Sequence, residues 1–121
     1  PDWIVNWASK EDTAIWEIDV YTEGVYEFIL EYNCLPGSVG TDFSLASENH
    51  SLLSEITIPL YSDKKRLPNN INFYSPPVKE WAQLKLGEMP LNKGRQDLYL
   101  TAPKINGESA GEIKSLTIIH K

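Results

Sequence analysis

Sulfur-bearing residues are scarce in this chain: one cysteine, Cys34, and one methionine, Met89, in 121 residues. A single cysteine excludes an internal disulfide and any metal cluster held by several cysteines. The chain also lacks the apolar run of about 18 residues that a membrane-spanning helix requires, and no signal peptide is visible. Because the chain begins at Pro1 and its only methionine is internal, we expect one domain, residues 1–121, excised from a longer chain.

Basic residues are outnumbered as well. The chain has 11 Lys and Arg residues and 17 Asp and Glu residues, which gives a formal net charge of -6. A protein that binds a nucleic-acid backbone needs clustered positive charge, so this balance argues against a nucleic-acid partner. It fits a neutral ligand, a cationic partner, or solubility alone, which needs no ligand.

Helical periodicity is absent, and strand-like alternation takes its place. No window of eleven or more residues repeats apolar side chains every 3.6 residues, which argues against long helices. Residues 15–20 and 25–32, separated by a Glu23-Gly24 turn, alternate apolar and polar side chains. The side chains expected to face the core are Trp16, Ile18, Val20, Tyr26, Phe28, Leu30 and Tyr32. This pattern is typical of half-buried antiparallel strands, and we predict that the two segments form a β-hairpin.

Shorter strand-like segments follow along the chain. The predicted strands are residues 54–61 with Ile56, Ile58 and Leu60 inward, residues 81–86 ending at Gly87, residues 96–102, and residues 112–120. Residues 62–77 contain three prolines and three asparagines and are predicted to form a long loop. Short strands separated by Gly, Pro and Asn turns indicate an all-β fold, a jelly-roll-like antiparallel β-sandwich of about eight strands.

Five short blocks occur in a characteristic order within this pattern. They are Trp16-Glu17-Ile18-Asp19-Val20, Gly24-Val25-Tyr26-Glu27, Tyr32-Asn33-Cys34, Gly40-Thr41-Asp42-Phe43 and Leu86-Gly87. In this order the five blocks resemble the non-catalytic C-terminal β-sandwich domain of bacterial sulfatases. The order of strand, Glu23-Gly24 turn, strand and small-residue loop in residues 15–45, with residues 81–94 downstream, is similar to the β-sandwich carbohydrate-binding modules of families 6 and 35, although less closely.

The resemblance implies a cellular location and binding partners for this protein. It implies a secreted bacterial protein, periplasmic or extracellular, whose partner is the catalytic domain of its parent chain, with glycan as a second partner and no membrane contact. A sulfatase is the favoured parent and a glycoside hydrolase the other. Related binding modules often carry an early pair of glutamates for a structural calcium. Residues 1–13 offer no clear counterpart, so no cofactor or metal is predicted.

Catalytic groupings are weak in this sequence. Residues 34–38 half-match the sulfatase nucleophile motif C/S-x-P-x-R, but Ser38 stands where the arginine is required. The carboxylate pairs Glu17/Asp19 and Glu27/Glu31 are expected to be solvated charges on strand faces rather than a glycosidase pair. His50 and His120 have no partner pattern for a triad or a metal. We therefore predict no catalytic residues and no enzyme activity in this chain.

Aromatic residues are the strongest ligand candidates. Sugar rings stack on Trp and Tyr, while Asn and Arg hydrogen-bond their hydroxyl groups. The candidates, taken mostly from the predicted loop, are Tyr61, Arg66, Asn70, Asn72, Tyr74 and Trp81. The same residue types are used in protein interfaces. Two hypotheses therefore remain open: an accessory domain that packs on a catalytic domain, and an autonomous carbohydrate-binding module of a glycoside hydrolase.

Overall fold

Two antiparallel sheets make up the computed structural model, which describes residue 7 and residues 9–59 and 81–121. In these residues the four-stranded sheet has the order β1 (Thr13–Val20), β6 (Gly94–Lys104), β3 (Asp42–Ala46) and β4 (Ser51–Glu55). The three-stranded sheet has the order β5 (Ala82–Leu91), β2 (Gly24–Asn33) and β7 (Glu112–His120). A single 3-10 turn spans Pro36–Ser38 in the described chain. The predicted all-β sandwich is confirmed.

The core lies between the two sheets and is built by the predicted alternation. Phe28 and Leu30 from β2, and Leu98 and Leu100 from β6, are fully buried, while their sequence neighbours point outward. Each such side chain contributes about 1.5–3 kcal/mol when it is removed from water. Cys34 is 1% exposed, as expected for a small residue at the end of a core strand. The inward faces predicted for β1 and β2 are confirmed.

The predicted β-hairpin between β1 and β2 is wrong, because the two strands belong to different sheets. β1 pairs with β6, so that Val20 lies opposite Gly94, and β2 pairs with β5, so that Gly24 lies opposite Leu91. Two of the crossings between the sheets therefore lie side by side, at residues 21–23 and 92–93. Alternation specifies which face of a strand is buried, but it does not specify the strand's partner. The result is a ribbon folded over the core, as in jelly rolls.

Strand β5 continues past Gly87, where the sequence predicted its end. Phe28 pairs with Gly87 and Ile29 with Lys85, so Leu86 is the extra residue of a β-bulge. Gly87 has a φ of 129°, which a side chain disfavours. The bulge shifts the buried positions of β5 from even to odd numbers. Because of this shift, the sequence pattern predicts a strand end at Gly87 although β5 continues.

Strand β4 also differs from its prediction, since it covers Ser51–Glu55 rather than residues 54–61. Ile56 is fully buried as expected, but Ile58 is 63% exposed, and Leu60 lies outside the described residues. The backbone N–H of Ile56 donates to the Thr41 carbonyl and the Gly40 N–H donates to the Ile56 carbonyl, so backbone hydrogen bonding continues one residue beyond β4. β7 has the predicted bounds of 112–120, and β6 extends the predicted segment by two residues at each end.

The sandwich has two ends. One end, which we call the corner end, contains the crossings at residues 21–23 and 92–93 and the β3–β4 loop, residues 47–50. At the loop end, residues 34–41 and 105–111 are joined by side-chain hydrogen bonds. Asn106 Nδ2 donates to the Val39 carbonyl at 2.8 Å, and Ser38 Oγ donates to the Ser109 carbonyl at 2.6 Å. Trp7, 2% exposed, closes this end with its ring edge-on to Phe43.

Candidate functional site

Only one of the six predicted ligand residues falls in the described part of the chain. Trp81 immediately precedes β5 and is half-buried. The other five candidates lie outside the described residues, and their role stays a prediction. They are Tyr61, Arg66, Asn70, Asn72 and Tyr74. The described geometry around Trp81 is therefore the starting point for the site.

Trp81 lies at the loop end of the three-stranded sheet. Its neighbour Ala82 pairs with Tyr32, which places Trp81 beside Asn33 at the end of β2. The ammonium of Lys114, two strands away, is 6.0 Å from the centroid of the indole ring. Lys114 reaches it because a bulge in β7 leaves Lys114 without an opposite residue in β2. At this distance the cation–π attraction is weak, so Lys114 retains hydrogen-bonding capacity.

Polar side chains continue the surface next to Trp81. Gln83, Glu31 and Ser115 form one row across the outer face of the sheet. Ser115 Oγ donates a hydrogen bond to Glu31 Oε1 at 2.6 Å. We call these residues with Trp81 and Lys114 the Trp81 patch. It combines an aromatic ring with a cation, a carboxylate, an amide and a hydroxyl, which together suit a polyhydroxylated ring.

The carboxylates considered as a catalytic pair are not arranged as one. Glu27 and Glu31 are four residues apart on a strand, a separation of about 13 Å along the chain, whereas glycosidase carboxylates are about 5–9.5 Å apart. Glu27 forms ion pairs with Lys85 at 4.0 Å and Lys121 at 3.8 Å. Glu17 and Asp19 are closer along β1, but both side chains are exposed.

The other side chains considered for chemistry make contacts within the fold. Ser38, at the arginine position of the half-matched sulfatase motif, is buried and held by Ser109. The exposed His120 ring stacks on Tyr26, with centroids 4.6 Å apart. Burial raises the pKa of the Tyr32 phenol, with a smaller contribution from the charge of Cys34. That phenol donates to the Ile58 carbonyl at 2.6 Å. Tyr32 therefore anchors the chain after β4 at the loop end.

Metal ligands are not gathered in the described part of the chain. Within residues 9–59 and 81–121, no three His, Cys, Asp or Glu side chains come together in a way that could hold a metal ion. Nor does any helix there have the length and apolar character needed to span a membrane. The prediction that residues 1–13 hold no calcium falls largely outside the described residues and stays a prediction.

A cavity on the four-stranded sheet was not anticipated from the sequence. It has a volume of about 440 Å³ and lies at the corner end, along β1 and β6. Its lining residues are Glu17, Ile18, Asp19, Arg95, Gln96 and Asp97. The register explains it, since Glu17 lies opposite Asp97 and Asp19 opposite Arg95. The sequence shows two short polar stretches 78 positions apart, and no local signal joins them.

Solved structures with the same architecture are carbohydrate-binding modules. The family 35 module from Cellvibrio japonicus Abf62 is 15% identical with a TM-score of 0.62, over 92% of this chain and 67% of that chain. Xyl-CBM35, solved in complex with a glucuronic acid containing disaccharide, is 17% identical with a TM-score of 0.61, over 88% and 65%. The fold is that of a CBM35 module. Identities this low show the fold and not the ligand.

A third structure carries the CBM35 fold inside an enzyme. The Podospora anserina GH26-CBM35 β-(1,4)-mannanase is 16% identical with a TM-score of 0.59, over 93% of this chain and 20% of that chain. No protein-family model and no curated protein matches this sequence. In this CBM35 fold, the Trp81 patch and the cavity lie on different sheets and at opposite ends. None of the three structures is a sulfatase by its description, so sulfatase parentage rests on the sequence resemblance alone.

Proposed function

We propose that this domain is a non-catalytic module that binds glycan through the Trp81 patch. The observation that carries the proposal is the half-buried Trp81 ring on the outer face of a CBM35-type sheet, beside the polar side chains of Lys114 and Gln83. A half-buried ring is held in place by its surroundings while one part stays open to a ligand. Such a ring loses little conformational entropy when a sugar stacks on it.

The polar residues of the Trp81 patch give the proposal its hydrogen bonds. A pyranose presents hydroxyl groups around its edge, and these both donate and accept. Glu31 accepts, Lys114 donates, and Gln83 does both, so all three are suited to an edge-on hydroxyl. Since Ser115 already donates to Glu31, the carboxylate is oriented before any ligand arrives. Pre-orientation of this kind lowers the cost of binding.

The partner in this proposal is a catalytic domain in the parent chain. The third similar structure joins a CBM35 module and a mannanase in one chain, which supports a glycoside hydrolase as parent. The five sequence blocks favour a bacterial sulfatase. Both parents remain proposals, as do C-terminal placement in that chain and a periplasmic or extracellular location.

A second candidate function is packing against that catalytic domain without glycan contact. The loop end exposes two large apolar side chains, namely Leu35 at 52% and Ile58 at 63%, and Trp81 is half-buried at the same end. Exposed apolar and aromatic side chains at one end of a domain are typical of a protein interface. This candidate uses the same tryptophan, so a ligand-binding experiment separates the two.

The experiment is calorimetric titration of the 121-residue chain with neutral, uronic-acid-containing and sulfated oligosaccharides. We expect saturable binding to at least one class. The Trp81→Ala variant should bind that glycan roughly 30-fold more weakly, the effect of losing a central aromatic contact. The control is Tyr21→Ala, which removes an aromatic ring that is 80% exposed at the corner end. Absence of binding to every oligosaccharide overturns the proposal and favours the interface.

A further inference from the structure

The outer face of the four-stranded sheet carries exposed or half-buried apolar side chains on each of its four strands. Ile15 on β1 lies opposite Tyr99 on β6, and Tyr99 lies opposite Ala46 on β3. Ile15 is 59% exposed, Tyr99 39%, and Leu53 on β4 64%. We call these four residues the Tyr99 face. An aromatic ring flanked by aliphatic groups on a sheet surface forms a flat platform against which a sugar ring can stack.

The cavity at the corner end adjoins this platform. The Glu17/Asp97 row lies two residues along β1 and β6 from the Ile15/Tyr99 row, a distance of about 7 Å. The Tyr99 hydroxyl is 3.5 Å from Asp97 Oδ2, so the platform and the cavity share a border. A volume of about 440 Å³ falls in the range of small-molecule sites. Platform and cavity together form one continuous strip along two neighbouring strands.

Charges on this face indicate which ligands it accepts. The outward strand positions of the sheet carry five carboxylates, Glu17, Asp19, Asp42, Glu55 and Asp97, and two cations, Arg95 and Lys104. Carboxylates are hydrogen-bond acceptors only, and glycan hydroxyls supply the matching donors. The excess negative charge repels uronic acids, sulfated sugars and nucleic acid. It also repels a second copy of the same face, which argues against a symmetric dimer here.

From the cavity, the platform and this charge pattern, we propose that the Tyr99 face and its cavity form a second glycan site, for an uncharged pyranose chain. One sugar ring stacks on Tyr99, and the next enters the cavity, where Glu17 and Asp97 accept its hydroxyl protons in hydrogen bonds. This inference rests on the proposed glycan-binding function and extends it. It adds a site on the other sheet, at the other end of the sandwich, that repels acidic ligands.

The test uses the 121-residue chain with neutral hexasaccharides of β-1,4-linked glucose, xylose and mannose, and with trigalacturonate. Binding is followed by calorimetry and by amide chemical-shift mapping. We expect at least one neutral chain to shift amides of β1 and β6, and we expect trigalacturonate to leave them unmoved. Tyr99→Ala should weaken that neutral binding roughly 30-fold, whereas Tyr99→Phe should retain it because the ring does the stacking.

Matched controls separate this site from the Trp81 patch. Ile119→Ala, a variant on the outer face of the three-stranded sheet, should leave neutral binding unchanged, and the amide shifts on β1 and β6 should persist in Trp81→Ala. If Trp81→Ala abolishes all glycan binding and Tyr99→Ala abolishes none, the second site is overturned and the Trp81 proposal stands. The reverse result supports the second site and overturns the Trp81 patch. Shifts on β1 and β6 that appear only with another protein, such as a catalytic domain, overturn the second site in favour of an interface.

Discussion

The outer faces of the two sheets differ in how their charges are arranged. On the three-stranded sheet, opposite charges meet: Glu27 contacts Lys85 and Lys121, and Lys121 also contacts Glu88 at 3.4 Å. On the four-stranded sheet, carboxylates stand side by side, and among the described residues no ion pair within 4.0 Å joins them to a cation there. A face whose charges are paired satisfies much of its own hydrogen bonding. A face of neighbouring acceptors leaves that capacity for water or a ligand.

The Trp81 patch and the Tyr99 face also depend on different parts of the fold. The Trp81 patch depends on the loop end, where buried hydrogen bonds and close backbone contacts hold the chain. The Tyr99 face depends on the pairing of β1 with β6, which is regular along its whole length. Disturbing the loop end should therefore weaken the first site and spare the second.

Gly111→Ala should cause the largest loss. Gly111 has a φ of 102°, and an added Cβ would collide with the Asn33 carbonyl, directly beneath the Trp81 patch. We expect roughly 3 kcal/mol of lost stability in urea unfolding, from backbone strain and the collision together. Glycan binding at Trp81 should fall, while amide shifts on β1 and β6 should persist.

The matched control for that variant is Gly94→Ala at the corner end. Gly94 has a φ of 119°, but nothing lies within 4 Å of an added Cβ. Only the backbone strain applies, so we expect about 1 kcal/mol. Equal losses for the two glycines would show that the contact with Asn33 is unimportant to the loop end.

Tyr32→Phe should have an intermediate effect. It removes the hydrogen bond to the Ile58 carbonyl and should cost about 1 kcal/mol at pH 7. Because burial raises the pKa of Tyr32 in the folded chain, the unfolded chain ionises this phenol first. Stability from Tyr32 is therefore complete below pH ~10 and is lost as the pH rises above that value.

The measurement is the free energy of unfolding of both proteins between pH 8 and pH 11. The wild-type curve should fall more steeply above pH ~10, and the difference between the two proteins should shrink there. A constant difference across this range would contradict the assignment of the pH dependence to Tyr32.

The smallest effects should come from the surface charges, and they should have opposite signs on the two sheets. Glu27→Gln breaks two ion pairs and should lower stability by less than about 1 kcal/mol. Glu17→Gln removes a negative charge opposite Asp97 and should raise the melting temperature slightly. Salt at 0.5 M should reduce both changes, since it screens exposed charges. Two shifts of the same sign would contradict the difference between the faces.

Residues of the core strands were largely predictable from the sequence. In β2 and β6 the alternation is unbroken, so burial of Phe28, Leu30 and Leu98 could be read directly. Prediction was wrong where the backbone departs from regular pairing. The alternation predicts a strand end at Gly87 because the bulge shifts the pattern there. It predicts a buried Ile58 because no local sequence feature marks the end of β4 before that residue.

The candidate sites divide in the same way. Trp81 was predicted because a tryptophan at the start of a strand, next to an irregular segment, is an evident ligand candidate. The cavity was not predicted from the sequence. It is lined by residues 17–19 and 95–97, which only the pairing of β1 with β6 brings together. Contacts between residues so far apart in sequence depend on which strands become neighbours.

By itself, the sequence determined the all-β class, the inward face of most strands, the buried position of Cys34, and the excess of negative charge. These properties are local or additive, since alternation with a period of two selects a face and composition determines net charge. Two features become visible in the tertiary structure alone. β1 and β2 belong to different sheets, and Tyr99 shares one surface with the carboxylates of the four-stranded sheet. Strand partners are chosen by how the whole apolar surface is covered, which is a property of all the strands together.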